Sequence, residues 1–102
     1  MIDRIVLVSL LPEHATDAGR AAVAAEARAV LGALPGVIDV RTGLAADPPA
    51  AKSWDVSFIV RIASLDDYPA YRDHPAHKAF LDDFLAARCQ FKKAWNFTVD
   101  PK

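Results

Sequence analysis

The sequence predicts an α+β domain in which helices pack on one side of an antiparallel sheet. Three observations support this fold class. Four short segments are rich in β-branched, aliphatic or aromatic residues, as strands are. One long alanine-rich segment carries its apolar residues at helical spacing instead. The segments follow in the order strand, helix, strand, strand, helices, strand, with no internal repeat and no interdomain linker.

The first strand and the first helix have clear boundaries. Residues 4–11 are β-branched and aliphatic and stop at a proline, which predicts a strand with two apolar faces, each of which must be covered. Thr16 is the predicted N-cap of a helix that runs to Leu34. Pro35 and Gly36 then end that helix, because glycine tolerates the left-handed backbone of a helix terminus. The buried stripe of the helix is expected to contain Val23, Ala27, Val30, Leu31 and Leu34.

Two further strands are predicted in the middle of the chain. Residues 37–44 and 54–62 alternate apolar and polar side chains, as strands with one covered face do. Residues 45–52 between them include two consecutive prolines and predict a loop. We expect the polar positions, including Asp55, on the sheet face away from the helices.

The last third of the chain predicts helices and a closing strand. Ser64 can cap a short helix, and a longer helix begins at Pro75, because proline suits the first helical position. Residues 89–99 form a strand whose aromatic residues are expected to pack against the helices. Trp54 and Trp95 are expected to anchor the core.

This order of elements is the ferredoxin-like pattern β-α-β-β-α-β, with both helices on one side of an antiparallel sheet. The opposite sheet face mixes charged with aliphatic residues, so it is too apolar to stay in water and too polar for a dry core. A second sheet laid over it would bury this face with its charges paired. We therefore expect residues 1–102 to form a single domain that pairs into a homodimeric α/β barrel; the alternative is a monomer with an open sheet.

The composition argues against several function classes. A formal net charge of -1 does not suit a nucleic-acid binder, and the scattered lysines and arginines form no patch for anionic lipid. The single cysteine, Cys89, excludes an intrachain disulfide and argues against an iron–sulfur cluster. The start of the sequence resembles no signal peptide, and its apolar stretch is too short to span a membrane. A cytoplasmic location without membrane partners is therefore expected.

Residues 71–77 form the one cluster that could carry chemistry. His77 begins the apolar stripe of its helix, which also includes Phe80, so its ring should point between helix and sheet. A neutral histidine beside the phenol of Tyr71 is a workable general acid/base pair. The alternative is that His74 is a turn residue and His77 a buried histidine bonded to a carbonyl. Two histidines three apart do not define a metal site, and no cofactor-binding motif is present.

This cluster resembles the stress-responsive dimeric α/β-barrel family, whose members look like homodimers with face-to-face sheets. The shared features are the strand Ile5-Val6-Leu7-Val8, the turn Leu34-Pro35-Gly36-Val37 and the pattern Tyr71-x-x-His74-Pro75-x-His77. The family includes plant olivetolic acid cyclase, a cofactor-free enzyme whose catalytic tyrosine and histidine match Tyr71 and His77. By that resemblance His77 would be a base, and Tyr71 its orienting or oxyanion-stabilising partner.

Two positions depart from the family pattern. A histidine frequent in the first strand corresponds to Arg4, and a pocket histidine of the third strand corresponds to Val56. With His74 and Phe80, these residues are the expected binding positions. Three functions remain open: a binder of a small carbonyl- or carboxylate-bearing molecule, a cofactor-free cyclase, isomerase or oxygenase that uses His77, and a structural stress-associated protein without a ligand.

Overall fold

The computed structural model describes residues 1–100 and contains a four-stranded antiparallel sheet with the strand order β2-β3-β1-β4. The strands are β1 (Ile2–Leu10), β2 (Val37–Leu44), β3 (Val56–Ile62) and β4 (Cys89–Thr98). The helices are α1 (Asp17–Leu31), α2 (Pro48–Ser53), α3 (Tyr68–Arg72) and α4 (Pro75–Ala79). The predicted ferredoxin-like order is confirmed. Within this part of the chain, no helix has the length and apolar character needed to cross a membrane.

Helix α1 begins where the sequence predicts. The Thr16 hydroxyl accepts a hydrogen bond from the Gly19 backbone N–H at 3.0 Å, which satisfies one free donor of the first turn. The helix ends at Leu31 rather than Leu34, and a turn follows in which Gly36 has a φ of 78°. The predicted stripe packs against the sheet, with Val30 half-buried and the other members buried.

The loop predicted over residues 45–52 is wrong for residues 48–52, because they belong to α2. Asp47 caps this short helix by accepting a hydrogen bond from the Ala50 backbone N–H at 2.9 Å. The two prolines occupy the first helical positions, where the missing N–H costs no hydrogen bond. The same residues that suggested a loop therefore start a helix.

The prediction for the faces of β4 is also wrong. Val6 and Val8 of β1 face the helices, and they pair across the strands with Ala94 and Lys92. The aromatic residues have the opposite parity and lie on the sheet face that no helix covers, which we call the open face. Trp95 is 49% exposed there and does not anchor the core. The residues that share this parity on β4 are Phe91, Lys93, Trp95 and Phe97.

Asp55 is predicted on the open face, but it lies on the helix side of the sheet. Its side chain is 3% exposed and accepts hydrogen bonds from the Leu10 backbone N–H at 2.7 Å and from Arg20 Nε at 3.0 Å. Asp55 stands just before β3, and its own N–H is held by the Val8 carbonyl at 2.8 Å. The carboxylate thus joins α1 to the end of β1.

A wide helical turn follows α4 and covers one end of the sheet. Phe80–Leu85 form a π-helical segment, with a hydrogen bond from the Ala86 N–H to the Leu81 carbonyl at 2.9 Å. Such wide turns are frequent at functional sites. The segment buries Phe80 and Leu85 against the helix side of the sheet.

We predict that Asp55→Ala lowers the free energy of unfolding by about 3 kcal/mol, because it leaves the buried Leu10 N–H without an acceptor and leaves Arg20 with only the exposed Asp17 as a counter-charge. Urea denaturation followed by circular dichroism measures this change. Asp73→Ala is the matched control, since Asp73 pairs with Arg72 on the exposed surface, and it should unfold close to the wild-type midpoint. Equal midpoints for the two variants would contradict the buried role of Asp55.

Candidate ligand-binding site

A cavity of about 290 Å³ lies between the helix side of the sheet and the segment that runs from α3 to the π-helical turn. Its walls are mostly apolar and include Phe58 and Phe80. Four polar side chains also border it: Arg4, Tyr71, His77 and Lys92. A mostly apolar space with a few convergent polar groups is the usual form of a small-molecule site.

His77 lines this site, and within residues 1–100 only one of its two ring nitrogens takes part in a protein hydrogen bond. Its Nδ1 lies 2.9 Å from the backbone carbonyl oxygen of Arg72. Because a carbonyl only accepts, Nδ1 carries the proton, and in the neutral ring Nε2 is then the basic nitrogen. Burial lowers the pKa of His77, although the bond to the Arg72 carbonyl opposes that shift. The ring is therefore neutral at physiological pH, with Nε2 able to accept a proton.

Tyr71 supplies a phenol whose ring lies beside the ring of His77. Its side chain is 1% exposed, and the centroids of the Tyr71 and His77 rings lie 4.6 Å apart. Within residues 1–100 no protein hydrogen bond uses the Tyr71 hydroxyl, yet no buried side-chain oxygen lacks a partner. The hydroxyl must therefore reach the cavity. Burial raises the pKa of Tyr71 to about 12, so the phenol stays protonated at neutral pH.

The break between α3 and α4 creates this geometry. His74 caps α4, because its Nδ1 accepts a hydrogen bond from the Ala76 backbone N–H at 3.0 Å. Pro75 takes the first helical position, where it needs no acceptor. The chain therefore leaves α3 at Arg72, with that carbonyl directed back at the ring of His77 one turn later.

The structure brings four of the six predicted site residues to one cavity: Arg4, Tyr71, His77 and Phe80. His74 does not line it and acts as a helix cap. Val56 lies apart in the core, 2% exposed and paired with Val8. Lys92 is not predicted as a site residue from the sequence, because the aromatic side of β4 is the side expected to face the helices. The small side chain of Ala94 indicates a cavity on this side of β4, because an aromatic residue at that position would fill the space.

Arg4 is held at the cavity by neutral groups. Its Nη1 donates a hydrogen bond to Asn96 Oδ1 at 3.0 Å, and its guanidinium carbon lies 5.0 Å from the centroid of the Tyr68 ring. Cation–π contact with the ring fixes the side chain without cancelling its charge. A full positive charge therefore stands beside Tyr71 and His77.

The described residues offer no candidate metal centre, since no three histidine, cysteine, aspartate or glutamate side chains of residues 1–100 come together. Cys89 is half-buried, and burial raises the pKa of its thiol. The Cys89 side chain is therefore a poor nucleophile at neutral pH, because the thiolate is the reactive form.

Comparisons with known proteins agree with this fold. A Dabb family protein with a ferredoxin-like fold from Mesorhizobium loti is 22% identical, with a TM-score of 0.80 over 96% of this chain and 95% of that chain. A dimeric ferredoxin-like protein of unknown function from Thermobifida fusca is 23% identical, with a TM-score of 0.75 over 96% and 90%. Hydroxynitrile lyase from Passiflora edulis is 13% identical, with a TM-score of 0.78 over 99% and 94%. No curated protein matches the sequence.

The family model of the stress-responsive A/B barrel domain, Dabb, matches residues 2–91. This match covers every strand and helix up to the first residues of β4. Three observations indicate the same family: the order of elements, the cluster at Tyr71 and His77, and this match. The chain belongs to the stress-responsive α/β-barrel (Dabb) family.

Proposed function

We propose that this protein binds a small molecule with a carbonyl or carboxylate group between Tyr71 and His77. The observation that carries the proposal is the meeting of two unused polar groups, the Tyr71 hydroxyl and His77 Nε2, in one mostly apolar cavity. Polar groups in the wall of an apolar cavity that make no protein hydrogen bond favour a ligand or a water molecule that completes their hydrogen bonding. The phenol would donate to the ligand oxygen, and the apolar walls would hold its body.

We further propose that the protein works as a homodimer joined through the open face. Besides the three aromatic residues of β4, this face carries half-buried Ile5, Leu7 and Ile59. Its charged residues include Asp3 and Arg61, which already form a bidentate pair with N–O distances of 2.8 and 2.9 Å. A largely apolar face whose Asp3 and Arg61 are already paired can be buried at a lower electrostatic cost, and the exposed Lys93 is the charge that a partner has to accommodate. The Thermobifida fusca neighbour is described as dimeric.

A second candidate function is a cofactor-free enzyme with His77 as general base. The bond from Nδ1 to the Arg72 carbonyl favours it, because this bond fixes both the tautomer and the orientation of the ring. The Tyr71 phenol is placed to donate to an oxygen on which negative charge develops. One structural neighbour, the hydroxynitrile lyase, is an enzyme, so this fold is compatible with catalysis.

Native mass spectrometry of the protein, purified gently from its own host, tests the binding proposal. We expect a dimer mass with a recurring small adduct, and we expect His77→Ala to lose that adduct because one of its two polar contacts is gone. His14→Ala is the control, since His14 lies in the turn after β1, away from the cavity. If His77→Ala keeps the adduct and changes only stability, by about 1 kcal/mol, the structural alternative gains support instead.

Hydrogen–deuterium exchange at the α-carbon of phenylacetone tests the enzyme candidate without knowledge of the natural substrate. A base at His77 should remove the α-proton, and His77→Ala should slow exchange by about a hundredfold. The rate should rise with pH and level off, with its midpoint below the usual histidine value of 6.5, because burial lowers the pKa of His77 and only the neutral ring is basic. Proton NMR in D₂O follows the reaction.

Two results of that experiment would argue against His77 as the base. One is a rate that His14→Ala and His77→Ala lower equally. The other is a midpoint above pH 6.5. Tyr71→Phe should also slow exchange while leaving this midpoint below 6.5, since the phenol stabilises the enolate and does not carry the proton.

Trp95→Lys should convert the dimer to a monomer, because it places a charge beside Ile5 among the apolar residues of the open face. Light scattering coupled to size-exclusion chromatography measures the mass. Leu65→Lys is the matched control: Leu65 is also a large exposed apolar residue, but it lies in the turn before α3. A wild-type monomer, or a Trp95→Lys dimer as stable as wild type, would overturn the proposed interface.

A further inference from the structure

We propose that the ligand of this cavity is an anion, an apolar carboxylate whose charged group is held by Arg4 and Lys92. This inference rests on the proposed function and narrows its ligand class from carbonyl or carboxylate to carboxylate. Both cations lie on the helix side of the sheet at this cavity, and neither forms an ion pair with a carboxylate of the described residues.

Arg4 occupies a position that the strand pattern reserves for an apolar residue. On the helix side of β1, its neighbours Ile2 and Val6 are buried, and its cross-strand partner Val60 is fully buried. Moving a charge toward an apolar layer is unfavourable unless something compensates it. A position where the local pattern fails in this way is expected at a functional site.

The protein supplies no compensating charge to Arg4 among the residues that the structure describes. Its hydrogen-bond partner is the neutral amide of Asn96, and the ring of Tyr68 lies against it. Four other arginines lie within 4 Å of aspartate oxygens: Arg20, Arg41, Arg61 and Arg72. Arg28 and Arg88 also bond neutral acceptors, but of these three arginines only Arg4 lines the cavity. The charge of Arg4 is thus oriented and left available.

Lys92 brings a second positive charge to the same cavity. It pairs with Val8 across β1 and β4, so it lies on the helix side of the sheet like Arg4. Between the two cations the strands carry Val6 and Ala94, and the small Ala94 leaves the floor of the cavity open. Both cations also lower the pKa of His77, so their fields reach the ring.

The charged side chains that line the cavity are all positive. No acidic residue of the described chain lines it, whereas Arg4 and Lys92 do. The remaining walls are mainly apolar, with Leu31, Phe58 and Phe80 among them. An anionic head and an apolar body match these two parts, and an arginine is well suited to a carboxylate because it offers two parallel N–H donors.

Phenylacetate and phenylacetamide are matched probes for this inference, since they differ mainly in charge. Titration of the dimer, followed by amide NMR shifts, should show phenylacetate binding at least about tenfold more tightly, with the shifts centred on Tyr71 and His77. Arg4→Gln and Lys92→Gln should each reduce that preference. Lys52→Gln makes the same charge change on α2, away from the cavity, and should leave the preference unchanged.

Ala94→Leu separates failure of this inference from failure of the proposed function. It fills the floor of the cavity without changing charge, so it should weaken both probes. One outcome is that both probes bind equally, that Ala94→Leu weakens both, and that Arg4→Gln and Lys92→Gln change the affinity of neither. In that case the cavity binds ligands but the anion inference is wrong. If neither probe binds to the wild type, or Ala94→Leu has no effect, the inference and the cavity proposal fall together. Because Lys92 is exposed, Lys92→Gln keeps the test valid if Arg4→Gln fails to fold.

Discussion

The central strand β1 is the constraint on which the rest of the structure depends. It pairs with both β3 and β4, so its alternation decides which side chains of three strands face the helices. Val6, Val8 and Leu10 set the buried side, and α1 packs its stripe against that side. Arg4 breaks the pattern where the strand borders the candidate ligand-binding cavity. Core packing and the candidate site are therefore consequences of the same register.

The break between α3 and α4 has a comparable effect on the site. A helix that continued past Arg72 would commit that carbonyl to a backbone N–H four residues later. The break, held by the His74 cap and Pro75, leaves the carbonyl for the His77 ring instead. The local backbone conformation thus selects the tautomer of His77, which is proposed to contact the ligand. This selection does not require a bound ligand.

Much of the fold could be predicted from the sequence, because local signals and global order agree there. The Thr16 cap and the stripe of α1 follow from capping and helical spacing. The contact of Tyr71 with His77 follows from the position of Tyr71 just before the helix, where it can fold back over the first turn. The faces of β4 could not be predicted, because both sides of that strand depend on partners outside it: a cavity on one side and an uncovered face on the other. Strand parity says which residues share a face but not which face is buried, so Lys92 was missed. His74 and Val56 were expected in the site from resemblance, and the geometry of a helix cap and of the core takes them out of it.

Strand β4 serves two surfaces that face in opposite directions. Lys92 and Ala94 border the cavity, while Lys93 and Trp95, one residue along, belong to the open face. Because side chains alternate strictly, a single inserted or deleted residue within this stretch would exchange the two sets and damage both surfaces at once. Evolution can change the side chains here one at a time, but it cannot change the spacing. The length of this strand should therefore vary less among descendants of this protein than the identity of its residues.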